Sequence, residues 1–167
     1  IMRKLDDKYD DIVTTMLTEI TTGGNVKDFA MLENVSPDGD FVDSPEGRLV
    51  NPGPSLECAW FLMSEGAHRN DKELILKAKN MIDVSMKLGF RNGGIISFCD
   101  VNGNPPEALE WDMHIWWPQC EAMIANRLCH ELTGEEKYLD AFKSLENYVF
   151  THFADNENGE WYGYMHY

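Results

Sequence analysis

The 167 residues carry 14 Lys plus Arg against 29 Asp plus Glu, a formal charge of −15. Phosphate backbones and anionic membrane surfaces are bound by clustered positive charge, and the longest basic run here is Arg3-Lys4, so nucleic-acid and membrane partners are excluded. Hydrophobic residues at 43% and charged residues at 26% are globular proportions, and a chain of this size folds as one domain burying roughly 70% of its unfolded surface.

In chain order, Tyr9, Ile12, Val13, Met16, Leu17 and Ile20 recur at helical spacing and predict a helix from Asp6 to Thr22, closed by Gly23-Gly24. Phe29 to Val35 reads as a short strand, Pro37-Asp-Gly39 as a turn and Phe41-Val42 as a return strand. Pro45 to Pro54 is punctuated as a loop. From Ser55 a helix places Leu56, Ala59, Trp60 and Met63 on one stripe, with Gly66 near its end. Asp71 caps a second helix, which Gly89 closes before a strand-like Gly94 to Phe98 and a hairpin turn at Asn102-Gly103.

After Pro105-Pro106 the order returns: a helix from Pro118 to Glu131, a break at Thr133-Gly134, a helix from Glu135 to about His152, and a strand-like Trp161 to Tyr164. Glu57 and Glu121, Asp71 and Glu135, and Gly94 and Gly159 are each separated by 64 or 65 residues, so the chain repeats a unit of two helices and a hairpin. Such a unit cannot bury its apolar faces alone and stacks on its neighbours. Periodicity alone allows a ring of helical hairpins or an open helical stack equally. About two and a half units are present. Opening at Ile1 and stopping at Tyr167 within an aromatic segment, the sequence reads as a piece of something larger.

Cys58, Cys99, Cys120 and Cys129 form no CxxC pair and no even framework, so they are expected to be reduced and mostly buried, with no zinc site. With no signal-peptide pattern and no apolar run of the ~20 residues a membrane span needs, the cytoplasm is the expected compartment. Nucleotide-cradling, zincin and nucleophile-elbow motifs are absent.

Three segments are richer in aromatics and carboxylates than packing requires: Arg48 to Leu62, Trp116 to Ala122, and Gly159 to Tyr164. In the repeat, Glu57 and Glu121 are equivalent, which puts both carboxylates near the first turn of a helix at the same rim. Either helix-dipole stabilisation or a site explains them. Trp beside a carboxylate suits a sugar, whose C–H faces pack on the ring while its hydroxyls bond the acid; Trp116-Trp117 near Glu121 fits, with one of the two free to serve packing instead. Of five histidines, His68, His130 and His152 read as structural or solvated. His114, two residues before the Trp pair, faces either the core or the same cavity.

The set Gly47-Arg48-Leu-Val-Asn-Pro-Gly53, Glu57, Trp60-Phe-Leu62, Trp116-Trp-Pro118, Glu121-Ala122 and Gly159-Glu-Trp-Tyr-Gly-Tyr164 resembles the N-acylglucosamine 2-epimerase family, also called renin-binding protein, along nearly the whole chain. The resemblance implies an all-α fold, an (α/α)6 barrel of helical hairpins, of which residues 1–167 would form one incomplete domain. It implies exchange of the C2 proton between N-acetylglucosamine and N-acetylmannosamine, with Glu121 and Glu57 catalytic and Trp117, Trp116 and Asn51 contacting the sugar. No metal or cofactor is implied; an allosteric nucleotide such as ATP and a homodimer of the intact parent are compatible with it. Relatives acting on unmodified sugars, such as cellobiose 2-epimerase or mannose isomerase, and a non-catalytic sugar- or protein-binding barrel are the alternatives. The family has a histidine after Asn-Pro-Gly where this chain has Pro54, and a second histidine beyond the Gly159–Tyr164 motif, so the 167 residues alone are expected to be inactive.

Overall fold

The computed structural model describes residues 7–23 and 26–166. After a 3-10 turn at Asp7–Tyr9, helix α1 spans Asp10–Thr22, α2 Pro52–Arg69, α3 Lys72–Gly89, α4 Trp116–Thr133 and α5 Glu136–His152. The strands are two residues each: β1 Val26–Lys27, β2 Ala30–Met31, β3 Leu49–Val50, β4 Phe90–Arg91, β5 Gly94–Ile95, β6 Cys99–Asp100, β7 His114–Ile115 and β8 Tyr164–Met165. They pair antiparallel as β1–β2, β3–β6, β4–β5 and β7–β8. Gly24 and the two chain ends at Ile1 and Tyr167 lie outside the described residues.

Helices α2 and α3 form a tight hairpin because every residue of the junction suits it. Asn70 takes the left-handed conformation at φ 56°, which Asn tolerates, and Asp71 N–H returns to the Gly66 carbonyl at 2.8 Å. The Asp71 carboxylate then accepts from the N–H groups of Glu73 and Leu74, both at 3.0 Å, capping α3. A side chain at Gly66 would meet Ile75 Cγ1 at 2.8 Å, so this glycine permits the close approach of the two helices and is not the helix end. The second hairpin, α4–α5, turns through Gly134 at φ 72°.

The repeat is visible in the coordinates. Helix α2 starts at Pro52 and α4 at Trp116, 64 residues on; α3 starts at Lys72 and α5 at Glu136, again 64 on. The β1–β2 hairpin pairs Val26 with Met31 and β4–β5 pairs Phe90 with Ile95, with the same offset. Their turns use positive φ at Asp28-Phe29 and at Asn92-Gly93. The longer-range ladders match as well: Leu49↔Asp100 in β3–β6 becomes His114↔Met165 in β7–β8, 65 residues on. Helix α1 is therefore the counterpart of α3.

The main core gathers Leu56, Ala59, Leu62 and Met63 of α2, Leu74, Ala78, Met81 and Ile82 of α3, Ala122, Ala125 and Cys129 of α4, and Tyr138 and Leu145 of α5. Its apolar burial is the driving term of the fold. Polar ties fix the outer helices: Tyr138 O–H donates to Asp83 at 2.8 Å, and Arg69 joins Glu65 of its own helix at 2.7 Å to Asp10 of α1 at 2.8 Å. Gln119, fully buried in α4, accepts the Ile95 N–H at 2.7 Å and donates to the Ile95 carbonyl at 2.8 Å, so both backbone groups of this buried β5 residue are satisfied by one side chain.

Several element boundaries differ from the sequence reading. Helix α2 begins at Pro52 because the Asn51 side chain caps it and Pro52 has the φ of a first helical residue. Helix α4, which has no side-chain cap, takes in Trp116-Trp117 ahead of Pro118, since a proline within the first turn removes only an N–H that has no helical partner. The strand expected over Phe29–Val35 shrinks to Ala30–Met31 plus a bridge from Leu32 to Val50, as Phe29 is consumed by the turn. Phe41-Val42 is not a strand; the Val42 carbonyl accepts the Ser44 N–H at 2.9 Å and the chain turns. Asn102-Gly103 is a turn, yet it closes no hairpin, because the strand before it, β6, pairs with the distant β3. Of Trp161 to Tyr164, only Tyr164 enters β8, while Trp161 bridges Ala154.

Among the described residues no helix is long and apolar enough to cross a membrane. Cys58, Cys99 and Cys129 are buried, Cys120 is half-buried, and all four are free thiols.

Candidate active site

The site is built on the first turns of α2 and α4, which lie side by side. Asn51 caps α2 through its side-chain carbonyl, accepting the Gly53 N–H at 3.2 Å. Pro52 and Pro54 flank that glycine, so Gly53 has the one N–H available to the cap in this turn. The Asn51 amide nitrogen remains a donor. Gly53 and Trp117 occupy equivalent positions in the repeat, and they touch: a Cβ on Gly53 would meet the Trp117 ring at 2.7 Å and Pro118 Cγ at 3.1 Å. Glycine in one copy makes room for the indole of the other. This contact also fixes α2 and α4 as parallel, with their N-terminal ends at one rim.

One turn further along lie Glu57 of α2 and Glu121 of α4, near enough for the charge of Glu121 to act on Glu57. Partial burial first, and the Glu121 charge second, hold the Glu57 carboxyl above the usual carboxylate range. Glu121 is held by Trp60, which the sequence places on the apolar stripe of α2 and not in the site: its indole N–H donates to Glu121 Oε2 at 2.6 Å. Trp60 lies three residues after Glu57 on α2, and its ring packs on Phe61 with centroids 4.1 Å apart. Trp116 stands at the rim, 46% exposed. The structure thus brings Asn51, Glu57, Glu121 and Trp117 onto two adjoining helix starts, with Trp116 at their edge.

Arg48, within the first motif, is engaged elsewhere. Its guanidinium donates to Asp100 and Asp43, both at 2.8 Å, and with the Asn102 N–H and Asn104 it keeps the Asp100 carboxyl below its usual range against the cost of burial. That network pins the loop before β3 to the end of β6.

His114 belongs to the core. Its ring is fully buried between Gly94 and Tyr148, and Nδ1 bonds the Tyr148 hydroxyl. Burial, and secondarily the nearby His152, push its pKa down to about 4, so it is neutral near pH 7. His130 bonds the Glu135 carbonyl at 3.2 Å and His152 the Tyr148 carbonyl at 2.9 Å; His68 lies exposed in the last turn of α2 and His166 exposed after β8.

The family model described as N-acylglucosamine 2-epimerase (GlcNAc 2-epimerase) matches residues 3–167. The chain belongs to the N-acylglucosamine 2-epimerase family. It is 38% identical to the N-acylglucosamine 2-epimerase of Bos taurus over 156 residues, covering 90% of this chain and 35% of the bovine protein. With that of Homo sapiens it shares 38% over 142 residues, 81% of this chain and 33% of the human protein. The chain thus spans about a third of the length of the curated relatives it matches. Cellobiose 2-epimerase from Ruminococcus albus is more distant, at 25% over 118 residues, 70% of this chain and 30% of that protein. Among solved structures, D-mannose isomerase superposes with a TM-score of 0.81 at 21% identity, over 97% of this chain and 42% of that one. Cellobiose 2-epimerase from Bacillus thermoamylovorans superposes at 0.77 with 19% identity, over 96% and 40%. The fold of this epimerase-family chain is accordingly part of an (α/α)6 barrel, and the ring, not the open stack, is the architecture to which its repeats belong.

Proposed function

We propose that the full-length protein carrying this region is an N-acylglucosamine 2-epimerase, an isomerase that interconverts N-acetylglucosamine and N-acetylmannosamine at C2. The observation that carries the reading is the pairing of Glu57 and Glu121 on two parallel helix starts, one carboxyl raised in pKa and the other fixed by the Trp60 N–H, beside the Trp117 indole.

The chemistry is that of the open-chain sugar. The C2–H bond lies next to the C1 aldehyde; a base takes the proton, the electron pair moves onto the carbonyl oxygen as an enolate, and a proton returns to C2 on the opposite face. Glu57, its carboxyl raised above the ordinary value by partial burial and by the Glu121 charge, suits donation to the C1 oxygen as charge develops there. Glu121, oriented by Trp60, suits hydrogen bonding to sugar hydroxyls and electrostatic support of the proton relay. Trp117 and Trp116 offer ring faces to sugar C–H groups, and the Asn51 amide offers a donor at the rim. Four free thiols, three of them buried, suit a reducing compartment such as the cytoplasm.

Glu121→Gln and Glu57→Gln in the full-length protein test this: each is expected to lose turnover with the fold intact, and unchanged turnover in either removes that residue from the site. One observation favours a second reading, a non-catalytic barrel that binds sugar or a protein partner. Pro54, three residues before Glu57, has no titratable group where the family motif carries a histidine.

A further inference from the structure

Phe61 of α2 is a large apolar residue that the packing of the repeat does not call for. Its counterpart 64 residues on is Ala125, fully buried in the main core, so a methyl group is enough to fill this place in the second copy. The Phe61 side chain is instead 51% exposed.

Two relationships fix where its ring lies. Phe61 follows Glu57 by four residues on α2, which puts both side chains on one face of the helix, about 6 Å apart along its axis. Trp60 and Phe61 are consecutive, so they leave the helix about 100° apart and do not ordinarily meet. Here their ring centroids are 4.1 Å apart with the planes tilted by 46°, so both rings bend into the arc between them. Glu57 stands in that arc, one turn nearer the helix start. Helical side chains also lean towards the N-terminal end of their helix, which carries the Phe61 ring up against the turn that holds Glu57. Trp60 is fixed on its other side, where its N–H donates to Glu121. The result is a step, with two carboxyls at the rim and an apolar ring face one turn deeper.

We propose that the Phe61 ring is the floor of the substrate site, where it receives the methyl end of the N-acyl group and limits the length of the acyl chain. The inference rests on the epimerase reading of Glu57 and Glu121. With those carboxyls serving C1 and C2, the acyl group on C2 is the one substituent near the reacting carbons that has an apolar end. C1 and C3 carry oxygens, which are costly to bury on a ring face that offers no hydrogen bond. A trans amide sets the acyl methyl about 3.8 Å from C2, a reach that fits within the one-turn step from Glu57 to the leaning ring. An acetyl group therefore fills the depth available, and a longer chain is driven into the phenyl ring.

The test compares kcat/KM of the full-length protein for N-acetylmannosamine and N-butanoylmannosamine. The native protein is expected to favour the acetyl sugar. Phe61→Ala is expected to raise the butanoyl-to-acetyl ratio by about 10-fold or more, the scale on which an apolar pocket discriminates chain length. Phe61→Leu keeps most of the apolar volume and is expected to raise the ratio in the same direction by less; should Phe61→Ala fail to fold, Phe61→Leu decides by the same ratio. Equal use of both sugars by the native protein, or a ratio that neither variant moves while turnover of both sugars falls together, would overturn the proposal and leave Phe61 a packing residue. A native protein that turns over neither sugar would remove the epimerase reading and this inference with it, whereas turnover with an unmoved ratio removes this inference alone.

Discussion

Trp60 donates its indole N–H to Glu121 across the seam between α2 and α4, at 2.6 Å, and so ties the first inner helix to a carboxylate at the start of the second. A hydrogen bond to a charged acceptor in a half-buried setting contributes more than a neutral one, about 1.5–3 kcal/mol at full strength. Trp60→Phe keeps most of the ring contact and removes the donor. A double-mutant cycle of Trp60→Phe with Glu121→Gln, read by urea unfolding, is expected to give a coupling of about 1 kcal/mol. Additive effects would mean that the bond does not persist in solution.

Gly53 and Trp117 make the second cross-helix contact at this rim. Gly53→Ala puts a methyl group 2.7 Å from the indole, with the Pro118 ring 3.1 Å away on the same side, so the indole must move. Overpacking of this kind costs about 1–3 kcal/mol. In the full-length protein the same substitution is expected to weaken sugar binding, because the displaced ring is the proposed sugar-facing one. A stability loss with unaltered sugar affinity would return Trp117 to a purely structural role.

His114 gives the fold a defined acid sensitivity. An unfolded imidazole takes a proton near pH 6.5, whereas the buried one does so at about 4. Between those values the unfolded chain binds the extra proton, so stability is fully present above pH 6.5 and falls as the pH drops towards 4, by up to about 3 kcal/mol. Carboxylates titrate in part of this window too, so the measurement is a difference: the slope of unfolding free energy against pH for the native chain minus that for His114→Asn. A shallower slope in the variant is expected; identical slopes would show that His114 is solvated.

Much of the fold was legible because the chain states its pattern more than once. The offset of Glu57 to Glu121 and of Asp71 to Glu135 reproduces the helix starts of the structure, whereas the hairpin expected at Asn102-Gly103 forms instead across Asn92-Gly93. The two misplaced helix starts share a physical origin: prolines and an asparagine that usually mark loops act here as cap and first-turn residues, at Asn51, Pro52, Pro54 and Pro118. Phe29 was unreadable as a turn residue, since its positive φ goes against its own preference and matches the geometry of Gly93 in the second copy. For the site, Glu57 and Glu121 emerged from the repeat, but the Trp60 bond is a contact over 61 residues between helices, which no local spacing encodes. The burial of His114 was equally hidden, as it depends on Gly94 and Tyr148 closing over the ring.

Pro54 occupies the third position of α2 and matches Pro118 of α4, so it is well suited to the helix start. Pro54→His is accordingly expected to change stability by less than about 1 kcal/mol, through the added freedom of the unfolded chain. In the full-length protein it adds a titratable group one residue after Gly53 and three before Glu57. Turnover that rises with this substitution would identify position 54 as the place where a base is lacking; unchanged turnover would mean that proton transfer is carried by other groups.

The proposed function stands on proton exchange at C2 of an N-acylhexosamine by the full-length protein that carries these residues. Proton NMR of N-acetylmannosamine in D2O reads that exchange, following the C2 proton signal and the growth of the N-acetylglucosamine resonances. Loss of the C2 signal together with formation of the gluco epimer is the expected result, and Glu121→Gln should suppress both. A C2 signal that persists while the sugar is bound would contradict the epimerase reading and leave a sugar-binding barrel.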